Sequence, residues 1–206
     1  MRKLILIVIL VCVSFVLKAQ TYYNGHEYVD MGLSVKWATC NVGADSFKGN
    51  GDYFAWGEIS PKNNFSEDNY RYQSNPSTLP PYADAASVNW GGSWRMPTLE
   101  EFQELMDNCT YDAGSYGEVS GYRFVSKING NSIFFPDTGS CDENGFAKVG
   151  VLGTYWLSSL NTENSQYAYF FVCDEGMIAT ILLWQNSEVY TNSYSRYIGR
   201  TIRPVF

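Results

Sequence analysis

The spacing of apolar residues predicts one helix clearly. Thr98 stands three residues before Glu101, which is the capping-box pattern that begins a helix. Four apolar residues then fall on one helical face, namely Leu99, Phe102, Leu105 and Met106. The pattern predicts a structural helix that begins after Thr98 and ends at Asn108-Cys109. A shorter helix, begun by proline, is predicted over residues 80–88.

Most of the remaining chain has the pattern of strands and turns. Residues 122–127 and 132–135 flank Asn129-Gly130, a pair that favours the positive φ angles of a two-residue type I′ turn, so we expect a hairpin there. Further strands are predicted at residues 36–41, 167–173, 178–184 and 200–205. Two long stretches rich in turn residues, 41–51 and 67–81, exceed ordinary connections, and loops of such length commonly carry function.

The N-terminus has the pattern of an export signal. Arg2 and Lys3 precede an apolar run over residues 4–17. As a helix, this run of about 14 residues would reach roughly 21 Å, less than the roughly 30 Å hydrocarbon core of a bilayer. We expect a signal peptide over residues 1–19 and a single secreted or envelope-located domain over 20–206. A retained membrane anchor is the alternative.

The charge balance restricts the partners. The chain has 14 Lys and Arg against 21 Asp and Glu, a formal net charge of −7, and the leader contains three of the basic residues. Nucleic-acid binding requires clustered basic residues, which this chain lacks, so we expect no nucleic-acid partner. No later apolar stretch approaches membrane-spanning length, so we expect no spanning segment after cleavage.

Cysteine and histidine usage bears on catalysis and metal binding. Four cysteines follow the leader, an even count that suggests disulfides in an exported protein, although three pairings and four buried free thiols all remain open. No close cysteine pair of the zinc type is present. His26, the only histidine, is expected to be a frayed surface residue near the mature N-terminus.

The sequence contains no motif of a hydrolase or of a phosphate-binding loop, so we expect neither catalytic residues nor a cofactor. A pair of facing glycosidase carboxylates cannot be recognised from spacing alone. Residues 142–145 lack the alternating oxygen ligands of an EF-hand, and a solvated turn is preferred there over a calcium loop.

The last fifty residues alternate aromatic rings with small hydrogen-bonding residues. Tyrosine and tryptophan supply rigid contact area, and serine and asparagine supply adaptable hydrogen bonds, as in antibody paratopes. Aromatic core positions in a sheet are the alternative, and we favour that for Trp156 and Phe170. The predicted ligand-binding residues are Trp184, Asn186, Tyr190, Asn192, Tyr194 and Arg196.

Four longer segments together resemble one known family. They are YVDMGLSVKWATCNVG at residues 28–43, GDYFAWGE at 51–58, WGGSWRMPT at 90–98 and GRTIRPV at 199–205. These motifs are similar to the Fibrobacter succinogenes major paralogous domain, a family abundant in exported proteins of Bacteroides-type bacteria. The resemblance implies an α+β, C-type-lectin-like fold with two helices, a twisted antiparallel sheet and long loops. It does not fix an activity.

Two departures from relatives of that fold limit what carries over. The fold also occurs in the formylglycine-generating enzyme, which uses a pair of nearby late cysteines, and Cys173 has no such neighbour in sequence. The calcium motifs of sugar-binding C-type lectins are absent as well. A third group, retroelement-diversified receptor proteins, varies a C-terminal stretch that resembles residues 155–205.

The resulting functional hypothesis is an exported adhesion or receptor-type module that binds a glycan or protein ligand at the cell surface. Its alternatives are a structural subunit of an envelope assembly and an oxidoreductase of the formylglycine-generating type. The retroelement-diversified type is one form that the recognition module could take.

Two arginines and one disulfide are predicted to be structural. Arg95, beside the capped helix, and Arg203, in the last strand, can each satisfy several acceptors through five donors. Cys40 and Cys109 are expected to pair, because they follow rigid elements that a two-layer fold would bring together. The resemblance agrees, since similar family members tend to carry both cysteine motifs.

Overall fold

The computed structural model describes residues 21–174, 177–180 and 195–206, and this part of the chain is a mixed α+β protein. It contains two α-helices, α1 (Ala85–Trp90) and α2 (Leu99–Asn108). The strands within each of its sheets pair in antiparallel fashion. The predicted α+β class is therefore confirmed. No helix among the described residues is both long and apolar enough to cross a membrane.

Helix α2 begins as the sequence predicted. The hydroxyl of Thr98 accepts from the backbone N–H of Glu101, whose carboxylate accepts from the N–H of Thr98 in return. Phe102 and Leu105 are buried on its inner face. The helix predicted over 80–88 instead divides into a single 3-10 turn, Pro81–Ala83, and α1.

Asp84 causes that division. Its carboxylate accepts from the backbone N–H of Ser87, which caps α1, and from the N–H of Met96 at 2.8 Å. The N-cap residue requires extended backbone angles, so the chain cannot continue as one helix through Asp84.

The first sheet is small and has the order β1 (Tyr22–Tyr23), β2 (His26–Val29), β3 (Trp37–Ala38). The strand predicted over 36–41 is therefore only two residues long. The backbone there bonds to the C-terminal segment instead, as Ala38 N donates to Pro204 O and Val42 N to Ile202 O.

The second sheet has the order β4 (Cys109–Tyr116), β5 (Val119–Ser126), β6 (Ser132–Pro136). The predicted hairpin over β5 and β6 is confirmed, but its type I′ turn is wrong. Gly130 alone has a positive φ there, and its N–H donates to Ser126 O across a longer loop. The sequence did not predict β4.

A two-stranded hairpin of β7 (Ser140–Asp142) and β8 (Gly145–Ala147) precedes the central sheet. That sheet has the order β11 (Met177–Thr180), β10 (Ala168–Asp174), β9 (Gly153–Leu160). Strands β10 and β11 confirm the predictions at 167–173 and 178–180, and residues 181–184 lie outside the described part. Strand β9 was missed.

The central sheet separates two apolar clusters. Side chains alternate along a strand, so Tyr155 and Leu157 of β9 join the cluster beneath α2, whereas Trp156 joins the cluster that includes α1. Phe171 and Phe170 of β10 divide in the same way. All eight residues of β9 are buried, so this strand forms the middle layer of the fold.

The C-terminal segment 199–206 joins these parts without forming a strand of its own. It makes isolated bridges at Phe54↔Arg200, Tyr155↔Thr201, Arg95↔Val205 and Trp37↔Val205. The predicted strand over 200–205 is therefore present only as a chain of single bridges. The bridges lead to separate parts of the chain, and so no continuous ladder forms.

Candidate functional site

Of the predicted ligand-binding residues, the structure describes Arg196. The other five lie outside the described residues, namely Trp184, Asn186, Tyr190, Asn192 and Tyr194. The site can therefore be followed from the point where the described chain resumes at Ser195.

Backbone contacts fix that point. Ser195 bridges Tyr167, and Arg196 N donates to Gln166 O at 3.2 Å. On the other side, Trp56 N donates to Arg196 O at 2.8 Å. The segment is thus held between the turn that leads into β10 and the buried stretch around Trp56.

The side chain of Arg196 lies largely inside the protein. The residue is 7% exposed, and its guanidinium lies over the rings of Trp56 and Tyr70, with 5.5 Å to each centroid. Nη1 donates to Ser74 O at 2.9 Å and to Asn75 Oδ1 at 3.0 Å. Arg196 therefore ties the 67–81 loop to the C-terminal segment, a structural role that the sequence had not assigned to it.

Arg196 is one of the residues that line a cavity of about 340 Å³. The cavity lining combines three tyrosines, two glutamines, one glutamate and one serine with the arginine, namely Tyr70, Tyr167, Tyr197, Gln73, Gln166, Glu67, Ser195 and Arg196. The hydroxyl of Tyr70 donates to Trp56 O at 2.8 Å, which fixes that ring. The cavity thus offers aromatic faces, side-chain amides and a cation.

A second cavity, of about 370 Å³, adjoins the first and shares Glu67 and Tyr197 with it. The carboxylates of this second cavity come from the 3-10 turn Glu67–Asn69 and from the β7–β8 hairpin, namely Glu67, Asp68, Asp142 and Glu143. We call the two cavities together the Tyr197 face. It is concave, aromatic on one side and acidic on the other.

The hairpin turn at residues 142–145 is the segment considered above as a calcium loop. Asn144 N donates to Asp142 Oδ1 at 2.7 Å, as in an ordinary turn. Cys141 and Gly199 exchange two backbone hydrogen bonds, which attach the hairpin to the C-terminal segment. Across the described ranges, no three His, Cys, Asp or Glu side chains cluster closely enough to hold a metal ion.

A third cavity, of about 410 Å³, lies next to the 3-10 turn but on the side of Tyr72 and Tyr82. Gly57 makes room for it: its φ is +81°, and a Cβ there would lie 2.1 Å from Cδ1 of Tyr72. Tyr82 is 70% exposed and Tyr72 is half-buried, so this cavity is a shallow aromatic recess.

The cysteines do not form the predicted Cys40–Cys109 disulfide. All four described cysteines are free thiols. Cys109 belongs to the cluster beneath α2, whereas Cys40 packs against the cluster on the opposite face of the central sheet. The elements that carry these two residues are thus separated by a layer, which sequence spacing could not reveal.

The same burial bears on thiol chemistry. Burial raises the pKa of Cys40 and Cys141, raises the pKa of Cys109 to about 11, and raises the pKa of Cys173 well above its ordinary value. An attacking thiol requires a lowered pKa, so none of these four is activated as a nucleophile.

The two arginines predicted to be structural are confirmed. Arg203 is fully buried, and its Nε donates to Asn41 Oδ1 at 2.7 Å while Nη1 donates to Thr39 O and Phe134 O at 3.0 Å. Arg95 forms an ion pair with Glu101 at the start of α2.

His26 differs from its prediction. It lies in β2, is half-buried, and stacks on Trp90 with ring centroids 3.6 Å apart and planes 6° apart. Burial lowers its pKa. The prediction of a frayed surface residue is wrong, because this ring contact holds β2 against Trp90 at the end of α1.

Sequence reasoning missed most residues of the Tyr197 face. Tyr70 and Gln73 do lie within the 67–81 loop, whose length pointed to function, and Tyr197 lies within the C-terminal aromatic stretch. Nothing in the sequence pointed to Gln166, because its approach to Arg196 depends on the path of the chain between β9 and β10.

Comparison with protein-family models, with curated proteins and with solved structures finds no match for this chain.

Proposed function

We propose that this protein is an exported recognition module, similar in fold to C-type lectins, whose ligand binds at the Tyr197 face. The family resemblance and the signal-like N-terminus support the exported part of the proposal. The observation that carries the binding part is the pair of adjoining cavities that share Glu67 and Tyr197. In sequence, Ser195 and Arg196 of this face directly follow the Tyr-, Asn- and Ser-rich stretch in which the other binding residues are predicted.

The lining favours a glycan over a flat protein surface. Ligand sites for small groups are concave and mix apolar rings with a few placed polar groups, which is the composition found here. Tyrosine rings can stack against the apolar faces of a sugar, and glutamine amides can donate to and accept from its hydroxyls. A single rigid scaffold holds both kinds of group, so little conformational entropy is lost on binding.

The test is binding of the exported protein to a glycan array, followed by titration of the best ligand. Tyr197→Ala and Tyr167→Ala should each weaken binding by about 1–3 kcal/mol, as removal of an anchoring ring at the centre of an interface does. Trp184→Ala and Tyr194→Ala should have the same effect if the predicted surface continues from this face.

Tyr82→Ala is the matched control, because Tyr82 is exposed and lines the third cavity. The binding free energy of this variant for the ligand should stay within about 0.5 kcal/mol of that of the unchanged protein. If both the Tyr197 and the Tyr167 variants bind the ligand with unchanged affinity, the ligand does not bind at this face.

A further inference from the structure

The guanidinium of Arg196 has donors that the fold leaves unused. Nη1 is occupied by Ser74 and Asn75, but Nε is buried without a hydrogen-bond partner. Nη2 also makes no hydrogen bond to any residue in the described ranges. Nε and Nη2 form one edge of the planar guanidinium, the edge that binds a carboxylate through two parallel hydrogen bonds.

Arg196 also lacks a counter-ion within the described part of the chain. It takes no part in the ion pairs Lys36–Asp30, Lys62–Glu58 and Arg95–Glu101. A charge that is 93% removed from solvent is costly unless it is paired and hydrogen-bonded. An anion at this edge would supply a charge and acceptors that no described residue provides, once the side chains that cover Nε give way to it.

The group is already held in position for such a ligand. The rings of Trp56 and Tyr70 lie under the guanidinium, and the two Nη1 hydrogen bonds fix its rotation. A fork that is rigid before binding loses little entropy on binding, and arginine is suited to planar, bidentate recognition of this kind.

We infer that Arg196 is the anchor for the carboxylate of an acidic sugar bound in the 340 Å³ cavity. The inference rests on the proposed function and deepens it by naming the ligand class. Tyrosine rings and glutamine amides suit the remaining faces and hydroxyls of a sugar ring.

The surrounding charges favour one isolated carboxylate over a densely charged polymer. Glu67 lines the same cavity, and Asp142 and Glu143 line the adjoining one. Together with the net charge of −7, these carboxylates would repel a polyanion such as a sulfated chain. A sugar with one carboxylate can place it on Arg196 and turn its hydroxyls toward Glu67.

The experiment compares an oligosaccharide that carries a single uronic acid with its methyl ester, which has the same rings without the charge, by calorimetric titration of the exported protein. The acid should bind about tenfold or more tightly than the ester, as expected for one charge-assisted bidentate contact. Arg196→Lys keeps the charge but removes the fork, and should bring the ratio to about threefold or less. Arg71→Ala, at the third cavity, should leave the ratio unchanged.

The ratio in the unchanged protein decides the matter even if the Arg196 variant folds poorly. Equal affinity for acid and ester overturns the carboxylate assignment, while loss of both affinities in Tyr197→Ala would still support the proposed function. Binding of an aspartate-containing peptide, with no binding of the uronate, would overturn the sugar assignment. If no glycan binds, neutral or acidic, both the proposed function and the carboxylate assignment are wrong.

Discussion

At the scale of single residues, the segment 195–206 is distinguished by three buried arginines. Each lies over an aromatic ring: Arg196 over Trp56, Arg200 over Phe170 at 3.7 Å, and Arg203 over Phe135 at 4.7 Å. Cations over ring faces gain more when they are desolvated, as these are. The segment therefore substitutes ring and carbonyl contacts for the continuous ladder of a strand.

The contacts of Arg203 lead to a stability prediction. Arg203→Met retains much of the side-chain volume but leaves Asn41 Oδ1 and the carbonyls of Thr39 and Phe134 without their donor. We expect the free energy of unfolding to fall by about 3 kcal/mol, because each orphaned buried acceptor costs about 1–3 kcal/mol. Urea denaturation followed by tryptophan fluorescence measures this loss.

The matched control is Arg123→Met, at an exposed arginine whose described hydrogen bond is a long one, 3.3 Å to Ser132. Its effect should stay within about 0.5 kcal/mol. Identical urea midpoints for the Arg203 variant and the unchanged protein would show that the buried hydrogen bonds contribute nothing net.

At the scale of elements, the start of helix α2 is stabilised by its own capping residues and by contacts with the rest of the chain. Its capping box also includes Arg95, because the carboxylate of Glu101 accepts from both Arg95 and the N–H of Thr98. Burial tends to raise the pKa of Glu101, but these hydrogen bonds and the guanidinium charge hold it below its usual range. Arg95 in turn bridges Val205, so the start of α2 is fastened to the chain terminus.

Removing the cap should weaken the whole domain. Thr98→Ala deletes the oxygen that accepts from Glu101 N, and we expect a loss of about 1 kcal/mol in the free energy of unfolding. Thr98→Ser keeps that oxygen and should lose a few tenths at most. Equal urea midpoints for the Ala and Ser variants would contradict a stabilising role for the cap.

At the scale of the whole molecule, the central sheet determines which residues can meet. Because β9 and β10 send alternate side chains into two separate clusters, the two larger of the three core clusters in the described chain pack against opposite faces of this sheet. Phe102 stacks on Phe171 on one face at 4.2 Å, and Phe170 packs against Trp156 on the other. Ring packing on both faces of the central sheet therefore stabilises the fold, without cross-links between the described cysteines.

This arrangement predicts how the cysteines behave. A reducing agent should leave the thermal midpoint of the protein unchanged, because Cys40, Cys109, Cys141 and Cys173 are free. A thiol reagent should react slowly with the native protein, since burial raises the pKa of every one of these thiols.

After unfolding in guanidinium without reductant, all four thiols should react. A count of two would instead demonstrate a disulfide, and mapping of the cross-linked peptides would show whether it joins Cys40 to Cys109.

The sequence alone determined the features that depend on neighbouring residues. Thr98 and Glu101 are three positions apart, so their reciprocal hydrogen bonds require only that the local chain become helical. The β5–β6 hairpin was predictable for the same reason, although its turn was not, because Asp30 O accepts from the side chains of Asn129 and Asn131 and holds the loop in another shape.

Tertiary structure alone decided the rest. Strand β9 is buried on both faces, so it lacks the alternation by which a half-buried strand is recognised. Cys40 and Cys109 were separated by the layer that β9 helps to form. The Tyr197 face brings Glu67, Gln166 and Arg196 together from distant parts of the chain. A contact between distant segments depends on the path of everything between them, and local spacing contains no record of that path.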